Sequence, residues 1–196
     1  MKRRDAIKRT ALLLGYAVSA SSIAAVMSGC KADPKVIAGG LDNWTPMSMT
    51  KDQGQILAQL AECVLPKTDS AGAIEAGVHS YIDTVLKTLA TPEQRDGFKS
   101  WIEDFTQRSS TAISKSFLDA DEKERTAFLT DYENAAAEAA KKEEMPLTVW
   151  FAIKEQILLG YFTSEQGQKE ALVYLPIPGG YDGCISLEEA GGMWAI

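Results

Sequence analysis

The chain has few side chains that could carry a reaction. It contains one histidine, His79, and three cysteines, Cys30, Cys63 and Cys184, among 196 residues. These cannot form a histidine–cysteine zinc site of the usual spacing, and no Cys-x-x-Cys-His segment is present for covalent haem. Any nucleophile triad would depend on His79 alone. We interpret His79 as a core or surface residue and predict no catalytic residue in this chain.

Glycines near the end of the chain superficially resemble a phosphate-binding loop. Gly179, Gly180 and Gly183 are not followed by the Lys-Ser/Thr pair of such loops. No Gly-x-Gly-x-x-Gly motif opens a Rossmann unit elsewhere in the sequence. The acidic pairs Glu143-Glu144 and Glu188-Glu189 are expected to be solvated. We therefore predict no cofactor and no metal in this chain.

Residues 1–29 are organised like a bacterial export signal. Five Lys or Arg and one Asp give this stretch a net charge of +4, and an apolar run from Ala11 to Val26 follows the basic head. Arg3-Arg4 followed by Ile7 and Lys8 resembles a twin-arginine signal, which exports proteins that are already folded. Ser28-Gly29-Cys30 resembles a lipobox, in which the Cys30 thiol is acylated. We expect a lipoprotein held on the periplasmic side of a membrane.

The alternative is a general secretory signal in which the arginine pair and Cys30 are incidental. Ala6 stands where the twin-arginine pattern prefers Phe, and Met27 stands where a lipobox has Leu. Removal of residues 1–29, with their net charge of +4, would leave −11 from the −7 of the whole chain. So acidic a protein is unsuited to nucleic acid or to holding anionic lipid by charge alone.

The remaining sequence predicts a tether and one helical domain. Residues 30–48 are interrupted by Pro and Gly and carry no helical stripe, which is typical of a tether. Residues 49–196 predict an all-α domain of about five helices in an irregular bundle, with a mostly non-helical C-terminal extension.

Apolar stripes of period near 3.6 and capping signals give the expected helices. Capping boxes at Thr50 and Thr91 open the first and third helices. The third helix presents Phe98 to Phe105 and is expected to continue toward Phe117. In chain order, the predicted helices start at Thr50, Ile74, Thr91, Asp119 and Pro146; the first ends at Pro66 and the last near Gly160. The aromatic residues expected in the core are Trp101, Phe105, Trp150 and Phe151.

Cys63 and Cys184 remain once Cys30 is assigned to lipid. In an oxidising compartment they could form a disulfide that joins the C-terminal extension to the first helix. They could instead be a buried and an exposed thiol, or one of them could bridge to a partner. The sequence leaves these alternatives open.

Two pairs of segments resemble the gluconate 2-dehydrogenase subunit 3 family. The first pair is Leu65–Ala73 (LPKTDSAGA) with Ala76–Asp83 (AGVHSYID), and the second is Gly160–Glu165 (GYFTSE) with Tyr174–Cys184. The resemblance covers about residues 50–187. It implies a small subunit of a membrane-associated, FAD-dependent dehydrogenase that acts on sugars, sugar acids or related alcohols.

The same resemblance implies the partners. The large subunit would be a glucose–methanol–choline-type flavoprotein that holds the FAD, and a cytochrome c subunit often completes such complexes. The small subunit often carries the twin-arginine signal for a large subunit that has none. This chain would then be a non-catalytic escort, and its lipid would anchor the complex to the membrane.

We expect the partner to dock on irregular segments rich in Pro, Gly, Tyr and Phe. Two other functions stay open: an independent helical ligand-binding or scaffolding lipoprotein, and an enzyme that depends on His79. The predicted docking residues are Pro66, Lys67, Thr68, Asp69, Gly160, Tyr161, Phe162, Pro178, Gly179 and Tyr181.

Overall fold

The computed structural model describes residue 41 and residues 44–141, 149–175, 179–180 and 183–194. They belong to the compact unit Ala38–Ile196, whereas the unit Met1–Ile37 lies outside the described residues. Helices dominate, and the described residues contain no strand beyond an isolated parallel bridge between Val173 and Trp194. The predicted all-α fold class is confirmed.

Five helices of at least eleven residues form the bundle, followed by a π-helical turn and a helix of four residues. In chain order these are α1 (Lys51–Val64), α2 (Val78–Thr88), α3 (Pro92–Ile113), α4 (Glu122–Ala140), α5 (Val149–Phe162), the π-turn (Gly167–Ala171) and α6 (Leu187–Ala190).

Local capping chemistry starts α1 and α3 where the sequence predicts. Thr50 and Gln53 form one reciprocal capping box, and Thr91 and Gln94 form the other. Helix α4 begins later than predicted, because Asp121 rather than Asp119 is its cap and bonds Glu124. Both acidic pairs have the capping-box spacing, so the sequence pattern could not choose between them.

The predicted start of α2 is wrong, and the observed ends of α3 and α5 lie within a few residues of the predicted ones. Ile74 lies in a turn rather than in α2, and Gly77 at φ 72° ends that turn before α2 begins. Helix α3 stops at Ile113, so Phe117 lies in the following turn, where its buried ring meets Phe105 edge to face. Helix α5 continues two residues past Gly160 to Phe162. The predicted start at Pro146 lies outside the described residues.

Helix α5 is the centre of the bundle. It packs against α1, α2, α3 and α4, and its end leads to the π-turn. Trp150 stacks on Trp101 of α3 with ring centroids 6.4 Å apart, and Tyr132 of α4 meets Trp150 edge to face. Trp101, Phe105 and Trp150 are thus core residues, as predicted. Phe151 is not: 39% of its surface is exposed, because it lies on the side of α5 that faces away from the core.

Residues 44–49, which we call the strap, join the bundle before α1. The backbone N–H groups of Met47 and Ser48 donate to the buried carboxylate of Asp83 on α2, at 2.7 and 2.9 Å. Trp44 packs over Gly54, where a Cβ atom would lie 2.0 Å from its ring. The folded body therefore includes Trp44 to Ser48, which the sequence assigned to the tether of residues 30–48.

Candidate functional site

The loop between α1 and α2 carries four of the predicted docking residues. Pro66, Lys67, Thr68 and Asp69 are all exposed. Beneath them, the carboxylate of Glu62 accepts hydrogen bonds from Lys67 N at 3.1 Å and from Ile74 N at 2.8 Å. The loop is thus an ordered projection whose shape depends on one side chain of α1.

The other predicted docking segment meets the far side of this loop. Tyr161, at the end of α5, donates its hydroxyl to the carbonyl of Ala71 at 2.7 Å. Glu170, in the π-turn, accepts from Ala71 N at 2.7 Å. Two segments about ninety residues apart in sequence are therefore joined at one residue. Leu65–Ala73 and Gly160–Glu165, two of the segments that carry the family resemblance, are thus in contact.

The contact between the two segments at Ala71 is close to two residues that the sequence assigned to docking, Gly160 and Tyr161. Gly160 is buried, and a Cβ atom there would lie 2.6 Å from the ring of Tyr81. Tyr161 is buried as well, because its hydroxyl is used inside the molecule. Both residues are buried in this structure, so their assignment to docking stays a prediction. Phe162 is exposed and can contact a partner.

The turn after α5 is stabilised by its own polar residues. Ser164 donates its hydroxyl to Tyr161 O at 2.6 Å and accepts from Gly167 N at 2.9 Å. A Cβ atom on Gly167 would lie 2.0 Å from the same Tyr161 carbonyl, so only glycine fits the π-turn here. Of the remaining docking residues, Gly179 is exposed, while Pro178 and Tyr181 lie outside the described residues.

His79 and Asp83, one helical turn apart on α2, form a buried polar pair beneath the strap. His79 is 1% exposed, its ring is edge-on to Trp44 at 5.2 Å, and neither ring nitrogen has a hydrogen-bond partner among the described residues. Burial lowers the pKa of His79 to about 4, although the Asp83 carboxylate opposes this shift. The imidazole is therefore neutral and out of contact with solvent.

Sequence reasoning missed Asp83 as a functional residue. Its carboxylate is fully buried and accepts from Met47 N, Ser48 N, Met49 N and the Ser48 hydroxyl. A carboxylate next to Ile82 at the edge of an apolar stripe was the available signal, because a buried carboxylate needs partners.

The cysteines are not joined. Cys63 is a half-buried thiol and Cys184 is exposed, and no disulfide links these two described residues. Burial raises the pKa of the Cys63 thiol. Of the three alternatives, a disulfide between Cys63 and Cys184 is therefore absent from this structure. The other cysteine, Cys30, and the export residues Arg3, Arg4, Ile7 and Lys8 lie outside the described residues.

Two open grooves lie between helices of the described bundle. One, of about 790 Å³, lies between α3 and α4 and includes the paired Arg108 and Asp104. The other, of about 580 Å³, lies between α2, α3 and α5 and is mostly apolar. Among the described residues, no three His, Cys, Asp or Glu side chains converge as a metal site requires. Within the same ranges, no helix is long and apolar enough to cross a bilayer.

Comparison with known proteins identifies the family. Residues 51–179, well over half of the chain, match the family described as gluconate 2-dehydrogenase subunit 3. The match includes α1 to α5, the loop at Pro66–Asp69 and the contact at Tyr161. No curated relative and no solved structure matches the chain. The chain belongs to the gluconate 2-dehydrogenase subunit 3 family.

Proposed function

We propose that this chain is the accessory small subunit of an FAD-dependent dehydrogenase complex. Its large subunit would be a glucose–methanol–choline-type flavoprotein that oxidises a sugar, a sugar acid or a related alcohol, and a cytochrome c subunit would complete the complex. The observation that carries this proposal is the family match over residues 51–179, because the family is named for a dehydrogenase subunit. FAD would reside in the large subunit.

An accessory role suits the placement of the polar groups in the bundle. The imidazole of His79 lies beneath Trp44 and is 1% exposed, so a substrate in solvent could not reach it. The buried hydroxyl of Tyr161 bonds a backbone carbonyl inside the molecule. These groups stabilise the fold, which supports a subunit that binds another protein rather than one that turns over substrate.

We further propose that residues 1–29 export the complex by the twin-arginine route and that lipid on Cys30 anchors it on the periplasmic side. A flavoprotein that binds FAD in the cytoplasm must cross the membrane folded, and a bound escort with a twin-arginine signal would provide the route. The strap supports the anchoring proposal, since it is the end of the predicted tether and is bonded to the bundle. The bonds from the strap to Asp83 would transmit the position of the anchor to the core of the bundle.

Purification of the tagged full chain from detergent-solubilised membranes of the producing cell tests the proposal. We expect a flavoprotein and FAD to be recovered in near one-to-one ratio with the chain. Joint substitution Arg3→Lys and Arg4→Lys should leave both proteins in the cytoplasm, whereas Cys30→Ala should release an exported complex into the soluble periplasm. Recovery of the wild-type chain without flavin would contradict the proposal.

The second candidate is an independent ligand-binding lipoprotein, and the groove of about 790 Å³ between α3 and α4 favours it. The groove is lined by both polar and apolar side chains, among them Arg108 and Tyr132, as ligand sites are. A small molecule that co-purifies with the chain, and is lost in Arg108→Ala, would favour this function over the accessory role.

A further inference from the structure

Helix α5 is apolar on the side that faces away from the core as well as on the side that faces it. Spacings of three, four, seven, eight and eleven residues place side chains on one side of a helix. The exposed side of α5 follows this pattern and carries one charged residue, Glu155. We call this side the outer face; its residues are Phe151, Ala152, Glu155, Leu158, Leu159 and Phe162.

Such a face is unusual for a surface helix. A helix at the edge of a bundle normally turns polar residues to solvent, and contiguous exposed apolar side chains mark an interaction site. Leu159, in the second half of the face, is 45% exposed, and Phe162 lies one turn beyond it. Contact with another protein would remove the remaining exposed apolar surface of these Leu and Phe side chains from water.

The apolar groove continues the outer face. Ala152 and Glu155 belong to the face and also line the groove of about 580 Å³ between α2, α3 and α5. Leu89, at the end of α2, lines the same groove and is 77% exposed. The outer face forms a ridge, and the groove forms a depression beside it. A surface of this shape can accept a side chain that a partner protein inserts.

The charges at this surface indicate which kind of partner it can bind. Among the described residues that line the groove, the charged ones are Glu93 and Glu155, which are both acidic and exposed. The neighbouring Lys154 is paired with Glu133 of α4 and so does not neutralise them. An anionic membrane would be repelled, and a second copy docked symmetrically would bring like charges together. The surface fits a different protein with an apolar patch bordered by Lys or Arg.

We propose that the outer face of α5 and the adjoining groove form the surface on which the flavoprotein subunit docks. This inference rests on the proposed function, which supplies that partner. Residues 51–179 contain the whole surface and end before residues 183–194, so the surface belongs to the part that matches a subunit family. The partner inserts an apolar side chain beside Leu89 and presents basic side chains to Glu93 and Glu155.

Flavin recovery with matched variants tests this surface. The tagged full chain is purified from solubilised membranes of the producing cell, and FAD is measured per mole of chain. Leu159→Lys and Glu155→Arg should each lower FAD per chain about tenfold or more, as loss of a central interface contact does. Glu103→Arg is the control, since Glu103 is an exposed glutamate on α3 that lines neither groove. It should change the yield less than about twofold, within the range of near-neutral interface contacts.

The outcomes separate the surface from the function. Thermal unfolding followed by circular dichroism establishes that each variant is folded; if Leu159→Lys is unstable, Glu155→Arg decides. If wild type recovers FAD and both variants recover as much, the flavoprotein docks elsewhere and only the surface is wrong. If wild type recovers no flavoprotein, the proposed function fails and this inference fails with it. A wild-type homodimer that Leu159→Lys dissociates would also overturn it.

Discussion

The strap, residues 44–49, precedes the five helices in the sequence, and the C-terminal segment, residues 183–194, follows them. The strap is fixed by a buried carboxylate and by Trp44 packed on Gly54 and His79. The C-terminal segment is joined to Val173, whose N–H donates to Met193 O at 2.8 Å, and it exposes Leu187, Met193 and Trp194. Its other bonds include the local cap of α6 and a bond from Trp194 to Ala190 O.

This difference follows from where the hydrogen bonds are made. Bonds to Asp83 lie in a desolvated setting, where an unmade bond costs far more than a bond made in water. Hydrogen bonds within residues 183–194 compete with water, so they hold this segment in place only weakly. In the proposed complex, the strap would hold the anchored side of the subunit rigid, while the C-terminal segment could adjust to a neighbour.

The largest expected effect comes from removing the carboxylate that fixes the strap. Asp83→Ala leaves the Met47, Ser48 and Met49 N–H groups without their acceptor, and we expect a loss of about 3–4 kcal/mol in the free energy of unfolding. Urea unfolding followed by circular dichroism measures it. Asp52→Ala, at an exposed position in the first turn of α1, is the control and should lose less than about 0.5 kcal/mol. Equal losses in the two variants would mean that the strap is not held by Asp83.

Acid should weaken the same end of the molecule through His79. Because the pKa of His79 is lowered to about 4 from 6.5, the unfolded chain takes up the proton first as the pH falls. Above pH 6.5 the neutral imidazole therefore makes its full contribution, about 3 kcal/mol, to the free energy of unfolding. This contribution is lost as the pH falls from 6.5 to 4.

His79→Leu isolates this contribution. The two ring nitrogens have no hydrogen-bond partner within the described part of the chain, so an apolar replacement of similar size should fold. We expect the difference in unfolding free energy between wild type and His79→Leu to shift by about 3 kcal/mol between pH 7.5 and 4 in favour of the variant. A difference that stays constant over this range would show that His79 is protonated equally in both states.

Gly54→Ala tests the apolar half of the strap. A methyl group there would lie 2.0 Å from the Trp44 ring, so the ring must move away from α1. Displacement of a packed Trp should cost about 2 kcal/mol, despite the higher helix propensity of Ala. Gly97→Ala in α3 is the control, since nothing lies within 4 Å of its Cβ position. By urea unfolding, Gly97→Ala should be as stable as wild type or more stable. If Gly97→Ala lost more stability than Gly54→Ala, Trp44 would not pack over Gly54.

Tyr161, at the end of α5, is hydrogen-bonded to the loop between α1 and α2. Tyr161→Phe removes the bond to Ala71 O and leaves a buried carbonyl without that donor, which should cost about 1–2 kcal/mol. Tyr174→Phe, at an exposed tyrosine, is the matched control and should be nearly neutral. Protection of the Ala71–Ala73 amides from hydrogen exchange measures this contact directly. Unchanged protection in Tyr161→Phe would contradict the assigned role.

The helices and two of their caps could be predicted because their signals are local. Thr50 with Gln53 and Thr91 with Gln94 lie within one turn, and the stripe from Phe98 to Phe105 repeats at the helical period. The strap could not be predicted, because Ser48 and Asp83 are 35 residues apart. No local sequence pattern around either residue indicates that the two form a hydrogen bond.

The candidate site was only partly accessible for the same reason. The sequence singled out Tyr161 and the loop at Pro66–Asp69 and assigned both to docking. Only the fold shows that Tyr161 bonds a backbone carbonyl, a group that every residue carries. The exposed side of α5 was missed for another reason: Phe151 was grouped with the other large aromatic residues as core, and only the fold shows that it lies on the exposed side of α5.

The smallest effect is expected at the C-terminal segment. Trp194→Ala removes an exposed side chain whose Nε1–H donates to Ala190 O at 3.0 Å, four residues earlier. That bond competes with water, so the loss in unfolding free energy should be below about 0.5 kcal/mol. Trp150→Ala, in the core, is the contrast and should cost about 3–5 kcal/mol. Should Trp194→Ala destabilise the chain by more than about 2 kcal/mol, the segment would be part of the cooperative core, and the contrast with the strap would fail. If it is neutral to unfolding but lowers flavin recovery from membranes, the segment is free in the isolated subunit and becomes ordered against a neighbouring protein.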